Sequence, residues 1–201
     1  QLRPVVTNDT SSPSITLSPS YCIQGGRCVE VCQVIQNVHA LENSQRGYET
    51  FVGPTLGRKL DDSECVKCGQ CSAHCPVGAI YETDDSEKVW EAINDPEKVC
   101  VVQEAPAVRV ALGEEFGMPV GTNVRGKMYA ALRRMGFKYV FDTNFGADLT
   151  IIEEASEFVH IFKNNPEELP LITTCCPSWV DYLEKFFYDM IPHFSSAKSP
   201  H

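Results

Sequence analysis

The chain holds 201 residues, 43% of them hydrophobic, with a formal net charge of −10 at pH 7. That is enough for one large domain or two small ones with a real core, and the acidic balance argues against nucleic-acid binding. No signal peptide opens the sequence, no apolar run approaches membrane-spanning length, and Gln1 in place of an initiator methionine suggests a start inside a longer product.

Residues 1 to 20 are rich in Ser, Thr and Pro and read as an extended connector. Residues 21 to 86 form a cysteine-rich unit. Its second half carries Cys65, Cys68, Cys71 and Cys75, with two, two and three residues between them, and Pro76 follows. This is the spacing of a bacterial iron–sulfur run. A cubane cluster takes one thiolate per iron. A tight loop with two residues between ligands wraps three corners of one cube, and the fourth cysteine serves a second cluster. Gly69 lets backbone amides approach the sulfur atoms, and Pro76 turns the chain away. A zinc site would favour two separated pairs, and a disulfide knot would need an oxidising compartment. Ten cysteines, most of them in metal spacings, point to a reducing cytoplasm. The acidic charge then suits a soluble electron carrier or its docking partner.

The first half repeats the pattern with one gap. In CIQGGRCVEVC, Cys22, Cys28 and Cys32 fall on ligand positions, and Gly25 stands where the remaining cysteine is expected. Cys32 should reach across to the cluster held by Cys65, Cys68 and Cys71. Cys75 should reach back to Cys22 and Cys28, which leaves that site one thiolate short. A three-iron cluster, a four-iron cluster with a non-protein ligand and an empty site all remain open there, with His39 or a water as candidates to fill the gap. Helices are predicted near 33 to 41 and 72 to 79, a strand in ETFVGP, a turn in PTLGRK, and a helix from Ser86 to Asn94 that stops before Pro96.

Beyond Pro96 the composition changes. VCVVQEAP reads as a buried strand, and KYVFDTN and LPLITTCC as two more. Helices are predicted in NVRGKMYAALRRMG, with an Asn123 cap and a Gly136 stop, in ADLTIIEEASEFVHIFKNN, and in PSWVDYLEKFFYDMI, which opens on Pro177. Strands alternating with helices predict a parallel sheet with crossover helices, with ligands at the carboxyl ends of the strands, here residues 104 to 106, 142 to 144 and 174 to 176. Cys175 and Cys176 lie at one such end, just before a helix, where thiolate is favoured. Their side chains should point apart and do different jobs, the alternative being two buried structural cysteines.

ITTCCPSWV resembles the first signature of the [FeFe]-hydrogenases, and APAVRVALGEEFG, FDTNFGADLTIIEEASEF and FSSAKSP look like the segments around it in that family, in family order. The resemblance runs from about Ser12 to the end. It implies an α+β two-cluster ferredoxin-like domain over 21 to 86, followed over 87 to 201 by the first half of an α/β H-cluster domain. Cys176 would ligate the four-iron subcluster of the H-cluster, and Cys175 would pass protons to the diiron subcluster. Glu154, Glu157 and Ser195 would lie on the proton path, and Pro106 and Ala107 would line the diiron site. Glu154 and Glu157, three apart on one helix, also share a face, although a solvated acidic face is the bland alternative. The later motifs that supply three more cysteines and a lysine are absent up to His201. The resemblance therefore implies the N-terminal part of a hydrogenase, inactive alone. Its implied partners are the remainder of the catalytic domain or a second subunit, and a ferredoxin or an NAD(P)H-linked electron donor. The competing expectations are an electron-transfer module or a hydrogenase-derived sensor without turnover.

Overall fold

The computed structural model describes residues 7–201, so the first six residues of the expected connector lie outside it. In chain order its strands are β1 (Ile15–Leu17), β2 (Glu42–Ser44), β3 (Phe51–Gly53), β4 (Ile80–Glu82), β5 (Val101–Glu104) and β6 (Tyr139–Asp142). Its α-helices are α1 (Arg27–Glu30), α2 (Gln70–Ala73), α3 (Ser86–Asn94), α4 (Val108–Glu115), α5 (Arg125–Met135), α6 (Thr143–Asn164) and α7 (Pro177–Phe186). The chain divides into two compact units. The first runs to Asp84 and takes back Pro177–Ile191; the second holds Asp85–Cys176 and Pro192–His201.

In the first unit, β1 pairs antiparallel with β4, Leu17 opposite Ile80, and β2 pairs antiparallel with β3. Ile15, Leu17, Val29, Leu41, Val52, Leu60 and Ile80 form one buried core together with Cys28 and Cys71. Val38, Ala40 and Val66 form a second, against which Tyr182 of α7 packs. The connector therefore ends earlier than expected. From Ile15 the chain is a paired strand, because three consecutive buried residues there close the core. The helices expected after each cysteine run start instead inside it. Gly26 and Gly69 adopt left-handed φ values of 76° and 73° and cap α1 and α2 ahead of Cys28 and Cys71. After α1 the first half continues as one π-helical stretch, Val31–Ile35, rather than as a helix to residue 41. The segment carrying α7, expected in the second domain, belongs to the first unit. Lys185 Nζ donates to the carbonyls of Ser63 at 3.3 Å and Cys65 at 2.7 Å, and Lys67 pairs with Asp181 at 3.3 Å.

In the second unit β5 and β6 run parallel, Val101 opposite Tyr139 and Glu104 opposite Asp142, with α4 and α5 as the crossover. Gly136, at φ 118°, ends α5 as predicted. The Asn123 cap is displaced by one residue: its Oδ1 accepts from the Arg125 amide at 3.1 Å, while Val124 holds the cap position. Two expectations fail. LPLITTCC is not a strand; only Ile172 pairs, in a parallel bridge with Phe194. Nor is β5 buried along its length, since Val101 is 51% exposed beside Tyr139 and Phe141 at 49% and 51%.

Candidate metal centres and strand-end site

The two cysteine loops of the first unit share one backbone conformation. Gln24 and Lys67, each two residues after the first cysteine of its run, both have positive φ, 56° and 58°. The Gln24 amide donates to Cys22 Sγ at 3.3 Å, and the Lys67 amide donates to Cys65 Sγ at 3.4 Å. A left-handed glycine and a short helix follow in both loops. Gly25 thus occupies in one loop the place that Cys68 occupies in the other.

The cysteines sort into two sets. Cys32, Cys65, Cys68 and Cys71 line one small cavity, walled by Ile15, Val38, Ala40, Leu41, Leu60 and Val66. Cys22, Cys28 and Cys75 line another, walled by Leu17, Pro19, Val52, Ala79 and Ile80. Among the described residues no three His, Cys, Asp or Glu side chains converge on a single metal-ion position; the thiols line two spaces instead. One thiolate per iron around a polynuclear centre would need groupings of this kind, and Cys32 and Cys75 each lie with the cysteines of the other half.

The electrostatics fit the same guest. Burial, reinforced by Cys65 and Cys68, pushes the Cys71 thiol up to about 12. Burial likewise raises Cys65, and raises Cys28 with help from Cys22 and Cys75. Such thiols ionise only beside a cation, and a metal centre takes them as thiolates outright. Cys75 is different. Burial would raise it, but the amides of Val77, Ile80, Ala79 and Gly78 outweigh burial and hold it below the ordinary thiol value, with the Ala79 N–H at 3.2 Å from its sulfur.

In the second unit the carboxyl ends of β5 and β6 carry a charged network that sequence reasoning missed. Arg109 of α4 pairs with Glu104, and its Nη2 reaches Asp142 Oδ1 at 3.1 Å. Tyr129 donates to Glu104 Oε1 at 3.1 Å, and Arg125 reaches Asp142 Oδ2 at 3.3 Å. Burial, then the Glu104 carboxylate and Asp142, lift the Tyr129 phenol to about 12. Glu104 Oε2 and Arg109 Nε are buried without a partner. One sign was available in the sequence: a glutamate closing an apolar strand, five residues before an arginine in the apolar first turns of a helix.

Glu157 and Ser195, predicted to act together, are hydrogen-bonded at 2.6 Å, and the Ser196 amide donates to the same carboxylate at 3.0 Å. Burial alone would raise Glu157; the Ser195 and Ser196 donors outweigh it and hold the carboxyl below its ordinary value. Glu154, one turn away on α6, is half-buried, with Oε1 lacking a hydrogen-bond partner. Pro106 and Ala107 form the exposed turn between β5 and α4, and Cys175 and Cys176 are both exposed just ahead of Pro177.

Residues 98–201 match the family described as iron only hydrogenase large subunit, C-terminal domain. The chain belongs to the iron-only hydrogenases. Residues 21–79 of this hydrogenase chain match a 4Fe-4S dicluster domain, which covers both cysteine runs. It is 47% identical over 194 residues to the NADP-reducing hydrogenase subunit HndD of Solidesulfovibrio fructosivorans, covering 94% of this chain and 33% of that protein. It is 49% identical over 175 residues to the periplasmic [Fe] hydrogenase large subunit of Nitratidesulfovibrio vulgaris, covering 71% of this chain and 42% of the relative. A solved structure of apo [FeFe]-hydrogenase HydA1 from Chlamydomonas reinhardtii is 44% identical, with a TM-score of 0.52 over 59% of this chain and 31% of its own. The hydrogenase chain thus spans between a third and a half of the length of these curated relatives. None of the helices among the described residues is long and apolar enough to cross a membrane.

Proposed function

We propose that this chain is the N-terminal part of an [FeFe]-hydrogenase, in which a ferredoxin-like unit relays electrons to or from an H-cluster for the reversible reaction 2H⁺ + 2e⁻ ⇌ H₂. The observation that carries this reading is the sorting of seven cysteines around two cavities, in a chain whose remainder matches the hydrogenase family. Iron–sulfur clusters supply one-electron carriers when bound, and an H-cluster supplies the metal site where protons and electrons combine. Cys32, Cys65, Cys68 and Cys71 would hold a four-iron cluster; Cys22, Cys28 and Cys75 would hold a centre with one thiolate fewer.

In this reading the ferredoxin-like domain spans 21–86 and the first half of the H-cluster domain 87–201, although Pro177–Ile191 packs in the first compact unit. Cys176 is the one H-cluster ligand on this chain, and the rest of the catalytic domain would supply the others. Cys175 would carry protons at the diiron site, which Pro106 and Ala107 would line. The Ser195–Glu157 hydrogen bond and the partnerless buried oxygen of Glu154 support a proton path through these three side chains. The electron partner is a ferredoxin or an NAD(P)H-linked subunit, a reading supported by the name of the HndD relative. A reducing cytoplasm suits the thiol content, against the precedent of one periplasmic relative.

The test joins this chain to the later catalytic segment of a relative, matures it with the diiron cofactor, and measures hydrogen evolution from reduced viologen. The joined protein should turn over and the chain alone should not. Cys175→Ala should keep the infrared bands of the diiron ligands but lose turnover, whereas Cys176→Ala should lose the bands. Hydrogen from the isolated chain, or equal loss of bands in both variants, would contradict the reading.

A further inference from the structure

We infer that the Gly25 corner of the Cys22–Cys28–Cys75 centre is a binding position for a small exogenous thiol; this rests on the iron–sulfur reading above. The loop around Gly25 is built as a cluster loop in every respect but the side chain. Its positive-φ residue, its amide-to-sulfur hydrogen bond and its left-handed glycine cap repeat those of the loop that carries Cys68. Gly25 is exposed, and its φ lies outside the left-handed region. A Cβ there would meet only Ile23 Cγ1, at 4.0 Å. The position is therefore exposed and has room for a side chain or another donor.

Among the described residues, the side chains considered for this corner are engaged elsewhere. Gln24 is engaged through Nε2 with the Thr50 carbonyl. His39, a candidate at the level of sequence, lies between Val38 and Ala40, which line the other cavity, and its ring bonds Asn37 at 3.1 Å. Ser18 lines the three-thiol cavity, but it is 1% exposed and its hydroxyl donates to Tyr81 at 3.4 Å. The remaining cavity wall is aliphatic apart from the cysteines.

The ligand chemistry follows. Iron in a sulfide-rich centre prefers soft thiolate donors. Ile23, 60% exposed beside the opening, offers an apolar rest for a short alkyl stem. A thiol would bind by ligand exchange: its sulfur would replace a solvent molecule at the corner the protein leaves open, and the thiol proton would pass to bulk water, with no change of oxidation state. The occupant would then set the charge of the centre, and charge is one determinant of cluster potential.

The experiment uses the full chain, reconstituted anaerobically with iron and sulfide and freed of small thiols, with radiolabelled 2-mercaptoethanol as probe. The reduced protein should change its EPR spectrum on addition of the probe and retain about one label per chain on gel filtration, as one open corner requires. Gly25→Cys should lose both responses, and Ser18→Ala should keep them. An unchanged spectrum with no retained label overturns the inference, as does a response that appears only in Ser18→Ala, which would make Ser18 the ligand. If the four-thiol site fills and the three-thiol site stays empty, the inference fails while the electron-relay reading stands. If neither site takes iron, the relay reading itself falls.

Discussion

Replacing Arg109 should be the most damaging single change in the second unit. Its side chain is 9% exposed and that of its partner Glu104 is 2% exposed, so neither charge is solvated once the other is removed. Glu104 Oε2 already lacks a hydrogen-bond partner. In Arg109→Met the carboxylate keeps only the Tyr129 hydroxyl at 3.1 Å. Breaking one side of a buried pair costs about 3–5 kcal/mol. For a chain of this size that is a fall in Tm of roughly 6–20 °C. Glu104→Gln should cost less, about 1–2 kcal/mol, because the amide oxygen still accepts from Arg109 and Tyr129. Arg109 also retains Asp142 at 3.1 Å in that variant. Calorimetry reads both values. An Arg109→Met protein within about 1 kcal/mol of the parent, or equal losses in the two variants, would refute this reading of the network.

Cys75→Ala should remove the centre shared with Cys22 and Cys28 and leave the other; Cys32→Ala should weaken the one shared with Cys65, Cys68 and Cys71. EPR of each reduced variant distinguishes this crossing from a scheme in which each run serves its own cluster. Glu157 has a folded value below its ordinary 4.5, so its contribution to stability is present above that pH and is lost as pH falls through the folded value. Ser195→Ala should raise the carboxyl in a carbon-13 NMR titration, and the stability gap between variant and parent should close as pH falls through the parent's folded value; an unmoved titration would dismiss the hydrogen bond. Lys185→Met gives up donors to the Ser63 and Cys65 carbonyls and, being exposed, should cost only about 0.5–1 kcal/mol, followed through the fluorescence of Trp179 in urea.

The metal-binding half was legible in the sequence because ligand spacing is a local constraint. Two residues between cysteines and a proline after the last led to the assignment of thiols to two centres; in the structure Cys32 lines the cavity of Cys65, Cys68 and Cys71, and Cys75 that of Cys22 and Cys28. Capping signals also carried. The limits of α3 agree with the prediction, and Gly136 stops α5. The helices beside the clusters were misplaced because a left-handed glycine starts each one before its buried cysteine, a conformation that spacing does not report. The third strand failed because apolar runs do not reveal their partners: Ile172 meets Phe194 once, and the chain on either side does not pair. In the strand-end site, Glu157 with Ser195 was reached only through family resemblance. The network of Glu104, Arg109 and Asp142 was missed because it joins β5, α4 and β6, and tertiary contact alone unites them.

The central claim, that seven cysteines of this chain hold two iron–sulfur centres for electron relay, is tested most directly by iron and acid-labile sulfide content together with EPR of the anaerobically reconstituted chain before and after dithionite. Two reducible centres are expected, of which Cys71→Ala removes one and leaves the signal of the other. A chain that takes up zinc in place of iron, or that binds iron without sulfide and shows no reducible signal, would contradict it.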